Sequence, residues 1–264
     1  MKVVILAGGK GRRMCAESTN LPKPLAAIGG TPIICHIMSY FRTFGCHDFV
    51  IAVGSRAKQI ISSLQEHLGP VDRTQERRDG CRSVTLTLPK DGLRVSLVDT
   101  GAETNTGGRI KRLAPLLEQQ PFFLAWCDGL SDIRLDAMHA FHQTHGRLVT
   151  IAAVHPHSRF GVMELAGDEV TAFQEKPLLA DTWINSGYAI LEPEALEYIE
   201  GDADQWEQGP ISRLVRDRQL MAWRHDGSWR LVFHDGSPVD PGLPRRAMAF
   251  NNPPVVIDEA THRG

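Results

Sequence analysis

Three short stretches of this chain carry residue types suited to handling phosphate. Gly8-Gly9-Lys10-Gly11-Arg12-Arg13 sets three glycines and three cations in six positions, directly after the apolar run from Lys2 to Leu6. Glycine allows positive φ and close backbone approach, so successive N–H groups can converge on an anion. The cations add charge where phosphate oxygens would lie. The alternative origin of such a run is a strand-to-helix turn that is merely basic. It is not a dinucleotide fingerprint, whose third glycine would fall at Met14, and it lacks the Gly-Lys-Ser/Thr ending of a Walker loop. Lys23 is bracketed by Pro22 and Pro24, whose fixed φ stiffens the segment and favours a positioned cation over a solvated one. Asp128 follows the apolar run Phe122 to Trp126, and a carboxylate at a strand end beside phosphates is a natural Mg²⁺ ligand. Ser131 or Asp132 is expected to cap the next helix, which leaves Asp128 to the metal. Together these stretches describe a grip on the phosphates of a nucleoside triphosphate.

The elements that must position them alternate along the chain. Lys2 to Leu6 reads as a buried strand entering a tight turn. Thr31-Pro32 offers an N-cap and a first-turn proline to a helix that carries Ile33, Ile37 and Phe41 on one face, with Ile34 and Met38 beside them. Phe49 to Val53 is a second strand, and Ile60, Ile61, Leu64 and Leu68 mark a helix closed by Gly69-Pro70. Strands follow at 84–88 and 95–98, then a helix bearing Ile110, Leu113, Leu116 and Leu117. This alternation predicts an α/β fold, a Rossmann-like, mostly parallel sheet flanked by helices. After about residue 148, short strands crowd together at 149–154, 161–165, 170–174 and 184–191 and predict an additional smaller antiparallel β lobe. Ligands of open α/β sheets sit beyond the carboxyl ends of the strands. The Gly8–Arg13 turn and Asp128 are therefore expected to face one crevice.

Composition narrows the class. A chain of 264 residues suits one large α/β domain and can bury a sizeable core. A formal net charge of −2 argues against a general nucleic-acid binder. No apolar run approaches the roughly 20 residues needed to cross a bilayer, and Val3 to Ala7 is too short for a signal-peptide core. The five cysteines, odd in number and without a CxxC pair, read as reduced thiols of a cytoplasmic protein. Cys127 is expected in the core, and Trp206 and Trp229 in the core or at a subunit contact. His36 reads as packed or solvated rather than catalytic.

The run Val4-Ile5-Leu6-Ala7-Gly8-Gly9-x-Gly11-x-Arg13, followed by Lys23-Pro24, resembles the sugar-1-phosphate nucleotidyltransferases, and within them the branch that makes cytidylyl sugars from glucose 1-phosphate. The resemblance continues through Thr106-Gly107-Gly108-Arg109-Ile110-Lys111-Arg112, Asp128-Gly129-Leu130-Ser131-Asp132 and Phe173-Gln174-Glu175-Lys176-Pro177. Ile184-Asn185-x-Gly187 and Trp206-Glu207-Gln208-Gly209-Pro210 extend it, with order kept to about residue 230. It implies transfer of a nucleotidyl group from an NTP, with CTP the best match, to a sugar 1-phosphate such as glucose 1-phosphate. It implies Mg²⁺, these two small-molecule substrates, no nucleic acid or membrane partner, and a homo-oligomer. Leu6, Gly8, Gly9, Gly11, Arg12, Arg13 and Lys23 would hold the triphosphate, and Thr106, Gly107, Gly108 and Arg109 would lie along the nucleoside. Asp128, Gly129, Glu175, Lys176, Asn185 and Gly187 would meet the sugar phosphate. By the same resemblance, Arg13, Lys23, Asp128 and Lys176 would form the catalytic set. One domain would span 1–236, with 1–147 as the nucleotide-binding core and 148–236 as the sugar-phosphate part, before an irregular proline-rich tail at 237–264. Glu175-Lys176-Pro177 by itself would read as a solvated strand end.

The chain departs from the family pattern at three places. Arg12 stands where the family's turn has Thr, and Cys127 where it has Gly. An ungapped alignment sets Phe233 at the family's second metal-ligating Asp, with Asp235 the carboxylate that could replace it. Two readings follow: an active transferase, with an unchanged or altered base or sugar preference, or a silent nucleotide-sugar-binding relative without the second carboxylate.

Overall fold

The structure is a computed structural model and describes residues 1–9, 21–78 and 81–231. In chain order the strands and helices are β1 (Lys2–Leu6), β2 (Ala27–Ile28), β3 (Thr31–Pro32), α1 (Ile33–Arg42), β4 (Asp48–Val53), α2 (Ala57–Leu68), β5 (Asp72–Arg78), β6 (Cys81–Leu88), β7 (Leu93–Asp99) and α3 (Thr106–Arg112). There follow β8 (Phe122–Trp126), β9 (Gly129–Ser131), α4 (Leu135–His145), β10 (Val149–Val154), β11 (Val162–Ala166), β12 (Glu169–Gln174), β13 (Ile184–Leu191), α5 (Gly209–Arg216), β14 (Leu220–His225) and β15 (Trp229–Leu231).

Nine strands form one sheet in the order β14-β10-β13-β8-β1-β4-β7-β6-β5. β1 lies at its centre and runs parallel to both neighbours, β8 and β4. Alternate residues of a strand face opposite sides, and β1 feeds two cores accordingly. Val3 and Ile5 pack with Ile33, Ile37 and Phe41 of α1 and Ile60 of α2, whereas Val4 and Leu6 pack with Ile110 of α3 and Leu214 of α5. Burial on both faces explains why β1 reads as an unbroken apolar run. The expected α/β fold with a mostly parallel sheet and extra small antiparallel sheets is present.

Several local expectations change. The strands at 149–154 and 184–191 do not belong to a separate lobe: β13 pairs antiparallel with β8 and β10, inside the main sheet. Of the four strands expected in that lobe, β11 and β12 alone stand outside the main sheet, as a two-stranded hairpin. Thr31 does not cap α1, because Thr31–Pro32 pairs with Ala27–Ile28 and Pro32 itself occupies the N-cap. The helix of Ile110 ends at Arg112, and Leu116 lies in a following 3₁₀ turn. β5, a wholly polar stretch for which the sequence offered no strand, sits at the sheet edge, where charged residues keep another strand from pairing. Among the described residues, no helix is long and apolar enough to cross a membrane.

At the sheet end opposite the candidate site, buried His142 of α4 hydrogen-bonds through Nδ1 with Thr150 Oγ1 (2.7 Å) and through Nε2 with Glu192 Oε1 (3.2 Å). Burial, with nearby His139 adding, pushes its pKa down to about 4. The unfolded chain then takes up this proton first on acidification, so stability is complete above pH 6.5 and drains away as pH falls toward 4. A shift from 6.5 to about 4 corresponds to about 3 kcal/mol. Urea titrations across this interval are expected to show a midpoint that falls with pH, and His142→Gln is expected to flatten it. An identical pH dependence in both proteins removes His142 as the cause.

Candidate active site

The site forms where β1 and β8 end side by side. Leu6 pairs with Trp126 at the carboxyl ends of these parallel strands, so Gly8-Gly9 and Asp128 leave from adjacent positions, as the sequence led us to expect. Beneath Gly8 lies the guanidinium of Arg109, which is 4% exposed. It donates to Val53 O (3.2 Å) and Thr100 Oγ1 (2.6 Å). A Cβ on Gly8 would sit 2.5 Å from Arg109 Cζ, so only glycine lets the turn lie on this side chain. Burial lowers the Arg109 pKa and the Asp99 charge partly restores it; a guanidinium nonetheless stays charged. A full positive charge therefore stands behind the first residues of the glycine-rich turn. Lys10, Gly11, Arg12 and Arg13 of that turn lie outside the described residues.

Lys23 opens a 3₁₀ turn, Lys23–Leu25, with Pro22 extended before it and Pro24 and Leu25 buried after it. This stiff segment delivers Lys23 Nζ to 2.5 Å from Asp128 Oδ2. Both side chains are about one quarter exposed (29% and 25%), so the pair is shielded yet reachable. Beside it, burial pushes the Cys127 thiol up to about 12, with the Asp128 charge adding, which keeps it protonated and unreactive.

Other segments close around Asp128. Tyr188 Oη donates to Gly129 O (2.9 Å), and Trp229 Nε1 donates to Ser186 O (2.8 Å). Gly187 packs under Trp126, and Asn185 Oδ1 accepts from Gly187 N (2.9 Å) where the β10–β13 register shifts. Asp128, Gly129, Asn185 and Gly187 are thus brought to one place. Asp132 does not cap α4, which begins at Leu135 after Arg134. Its Oδ1 instead accepts from His225 Nε2 (2.8 Å) and Ser228 N (2.7 Å), fixing the turn into β15. β15 pairs Leu231 with Gly129, and Phe233 and Asp235 lie beyond it, outside the described residues. His36 is buried and bonded to Ile28 O, and Trp206 is fully buried.

Thr106 to Arg109 form the first turn of α3. Gly107 and Gly108 press on the 202–204 segment: a Cβ on Gly108 would lie 2.5 Å from Asp202 Cα. Gly108→Ala is expected to cost about 2 kcal/mol, since backbone cannot yield as a side chain can; an unchanged melting temperature would count against this packing. The Thr106 hydroxyl accepts from Trp206 N (2.9 Å) and donates to Glu207 Oε2 (2.7 Å). Glu207 stood in the run Trp206–Pro210 that carries the family resemblance but received no role from the sequence, where a lone carboxylate after a tryptophan carries no periodic signal. Glu175 and Lys176 lie at the base of the β11–β12 hairpin and are exposed, with Lys176 Nζ 3.7 Å from Glu175 Oε1. Their described partners are local to the hairpin. Lys176 holds φ +49° immediately before Pro177, an uncommon conformation for a side-chain-bearing residue. Among the described residues, no three His, Cys, Asp or Glu side chains converge as a preformed metal cage.

Gly8 over a buried cation and a lysine–aspartate pair thus stand side by side at the ends of two parallel strands. The Nucleotidyl transferase family model matches residues 2–220, and the chain belongs to that family. Glucose-1-phosphate cytidylyltransferase of Salmonella typhimurium is 36% identical over 235 residues, covering 87% of this chain and 90% of that protein. Mannose-1-phosphate guanyltransferase of Candida albicans is 30% identical over 248 residues, 91% of this chain and 62% of that one. Among solved structures, HddC from Yersinia pseudotuberculosis matches with a TM-score of 0.61 at 22% identity, over 87% of this chain and 92% of that chain, which bears on the fold alone. The activity is that of a sugar-phosphate nucleotidyltransferase, in a family whose members commonly use Mg²⁺.

Proposed function

We propose that the protein transfers a cytidylyl group from CTP to glucose 1-phosphate and releases pyrophosphate. The observation that carries this reading is the Lys23–Asp128 pair at the joined ends of β1 and β8, in a chain 36% identical to a glucose-1-phosphate cytidylyltransferase. A phosphate oxygen of the sugar attacks the α-phosphorus, and the bond from that phosphorus to the bridging oxygen breaks, its electron pair leaving with pyrophosphate. Two anions must meet, so the enzyme's main tasks are to position them and to supply positive charge. In this reading the Gly8–Arg13 turn and Lys23 hold the triphosphate, and Arg109 lends charge from behind Gly8. Lys176 takes the sugar phosphate, and Glu175 and Asn185 take sugar hydroxyls.

Asp128 suits Mg²⁺, which is held by one or two carboxylates together with phosphate oxygens and water. It offers one carboxylate, partly open to solvent, of which one oxygen is paired with Lys23. The metal would neutralise phosphate charge and ease pyrophosphate departure; Asp235 is the second carboxylate in this reading. With its carboxylate engaged by Mg²⁺, Asp128 would release Lys23 to meet a phosphate.

The test is pyrophosphate release with Mg²⁺, each common NTP and a panel of sugar 1-phosphates. CTP with glucose 1-phosphate is expected to give the highest kcat/KM. A different best pair corrects the specificity, and tight nucleotide binding without turnover supports the silent reading raised by Phe233. Lys176→Ala is expected to raise KM for the sugar phosphate at least about tenfold, the worth of one charge-assisted hydrogen bond, with CTP affinity within about twofold. Equal loss on both substrates removes Lys176 from the sugar-phosphate side.

A further inference from the structure

Glu207 joins three segments that are remote in sequence. Its Oε2 accepts from Thr106 Oγ1 (2.7 Å), at the start of α3, and its Oε1 accepts from Trp126 Nε1 (3.1 Å), at the end of β8. The carboxylate hangs from a rigid anchor, because Trp206 beside it is 0% exposed and its backbone N–H donates to the same Thr106 hydroxyl (2.9 Å). The direction of each bond is forced. A backbone N–H and an indole N–H can only donate, so Thr106 Oγ1 spends its proton on Glu207 and one lone pair on Trp206. Trp126 in turn covers Gly187 and stands two residues before Asp128.

We propose that Glu207 is a positioning residue of the transfer reaction: its shared carboxylate ties the first turn of α3, on the nucleoside side, to the end of β8, from which Asp128 emerges. This rests on the transferase reading given above. Without the tie, the first turn of α3 and the Trp126–Asp128 segment are no longer held to each other, and small misplacements of reacting groups are costly in rate. The required feature is an acceptor for the indole N–H joined to a group that engages the Thr106 hydroxyl. Glutamine can supply both, since its oxygen can accept from Trp126 while its amide donates to the second lone pair of Thr106 Oγ1.

The experiment compares Glu207→Gln, Glu207→Ala, Trp126→Phe and the double variant Trp126→Phe/Glu207→Ala in the full chain. Expected for Glu207→Ala is a fall in kcat/KM for the NTP of about thirtyfold, with KM for the NTP raised and KM for the sugar phosphate within about twofold. Glu207→Gln is expected to stay within about threefold of the parent. The double variant is expected to be no worse than the weaker single, because both remove the same tie. The ultraviolet difference spectrum between parent and Glu207→Ala is expected to vanish in the Trp126→Phe background. Calorimetric NTP affinity follows the same order and reads the tie without turnover, so a parent that binds NTP yet releases no pyrophosphate ends the transferase reading alone. Three results overturn the proposal: unchanged NTP parameters in Glu207→Ala, losses that add fully in the double variant, or a Glu207→Gln defect equal to that of alanine.

Discussion

Asp128→Asn is expected to slow pyrophosphate release about a thousandfold at saturating substrates, while the protein goes on binding NTP. The substitution is nearly isosteric and the side chain is only 25% exposed, so the fold keeps its shape while the charge goes. Loss of the anion removes the proposed protein ligand for Mg²⁺ and, with it, charge stabilisation at the departing pyrophosphate. Lys23 responds in the opposite sense. Its ammonium is 2.5 Å from Asp128 Oδ2, and a triphosphate must compete with that carboxylate. With Asn at 128 this competition weakens, so NTP affinity measured calorimetrically in a chelator is expected to rise by a few fold. A kcat within tenfold of the parent, or an affinity that collapses together with kcat, overturns the shared role of the pair.

Gly8→Ala is the second substitution with a large expected effect. Its Cβ would lie 2.5 Å from Arg109 Cζ and 2.8 Å from Nε, well inside allowed contact. The guanidinium has no easy retreat. It is tied to Val53 O (3.2 Å) and Thr100 Oγ1 (2.6 Å). Either the turn lifts or the buried cation loses its partners, a cost of about 3 kcal/mol with loss of most NTP affinity. The cause is specific, so the two sites are expected to couple: Gly8→Ala added to Arg109→Ala costs little more stability than Arg109→Ala alone. Melting curves of the two single variants and the double variant decide it. Losses that simply add would show that the turn fails for another reason.

Local signals carried much of the fold. The β-branched run of β1, the apolar faces of α1 and α2 and the run before Asp128 appear because each element buries its own periodic face. β5 was missed, because an edge strand needs no apolar alternation when its ladder partner and charged side chains suffice. β10 and β13 were grouped with the small lobe, because membership of a sheet is decided by pairing with distant strands. Ser131 and Asp132 looked like caps by spacing, yet the side chain of Asp132 found the turn before β15.

By itself the sequence determined the α/β class, the phosphate-suited turn, the stiffened Lys23 and the strand-end Asp128, since each depends on residues that are neighbours in the chain. Only the tertiary structure decided that Lys23 and Asp128, 105 residues apart, are partners. It also decided that Arg109 lies beneath Gly8, and that Glu207 binds α3 to β8. Such contacts are set by how the strands are ordered in the sheet, and a contact between distant side chains leaves no period in the residues around either of them.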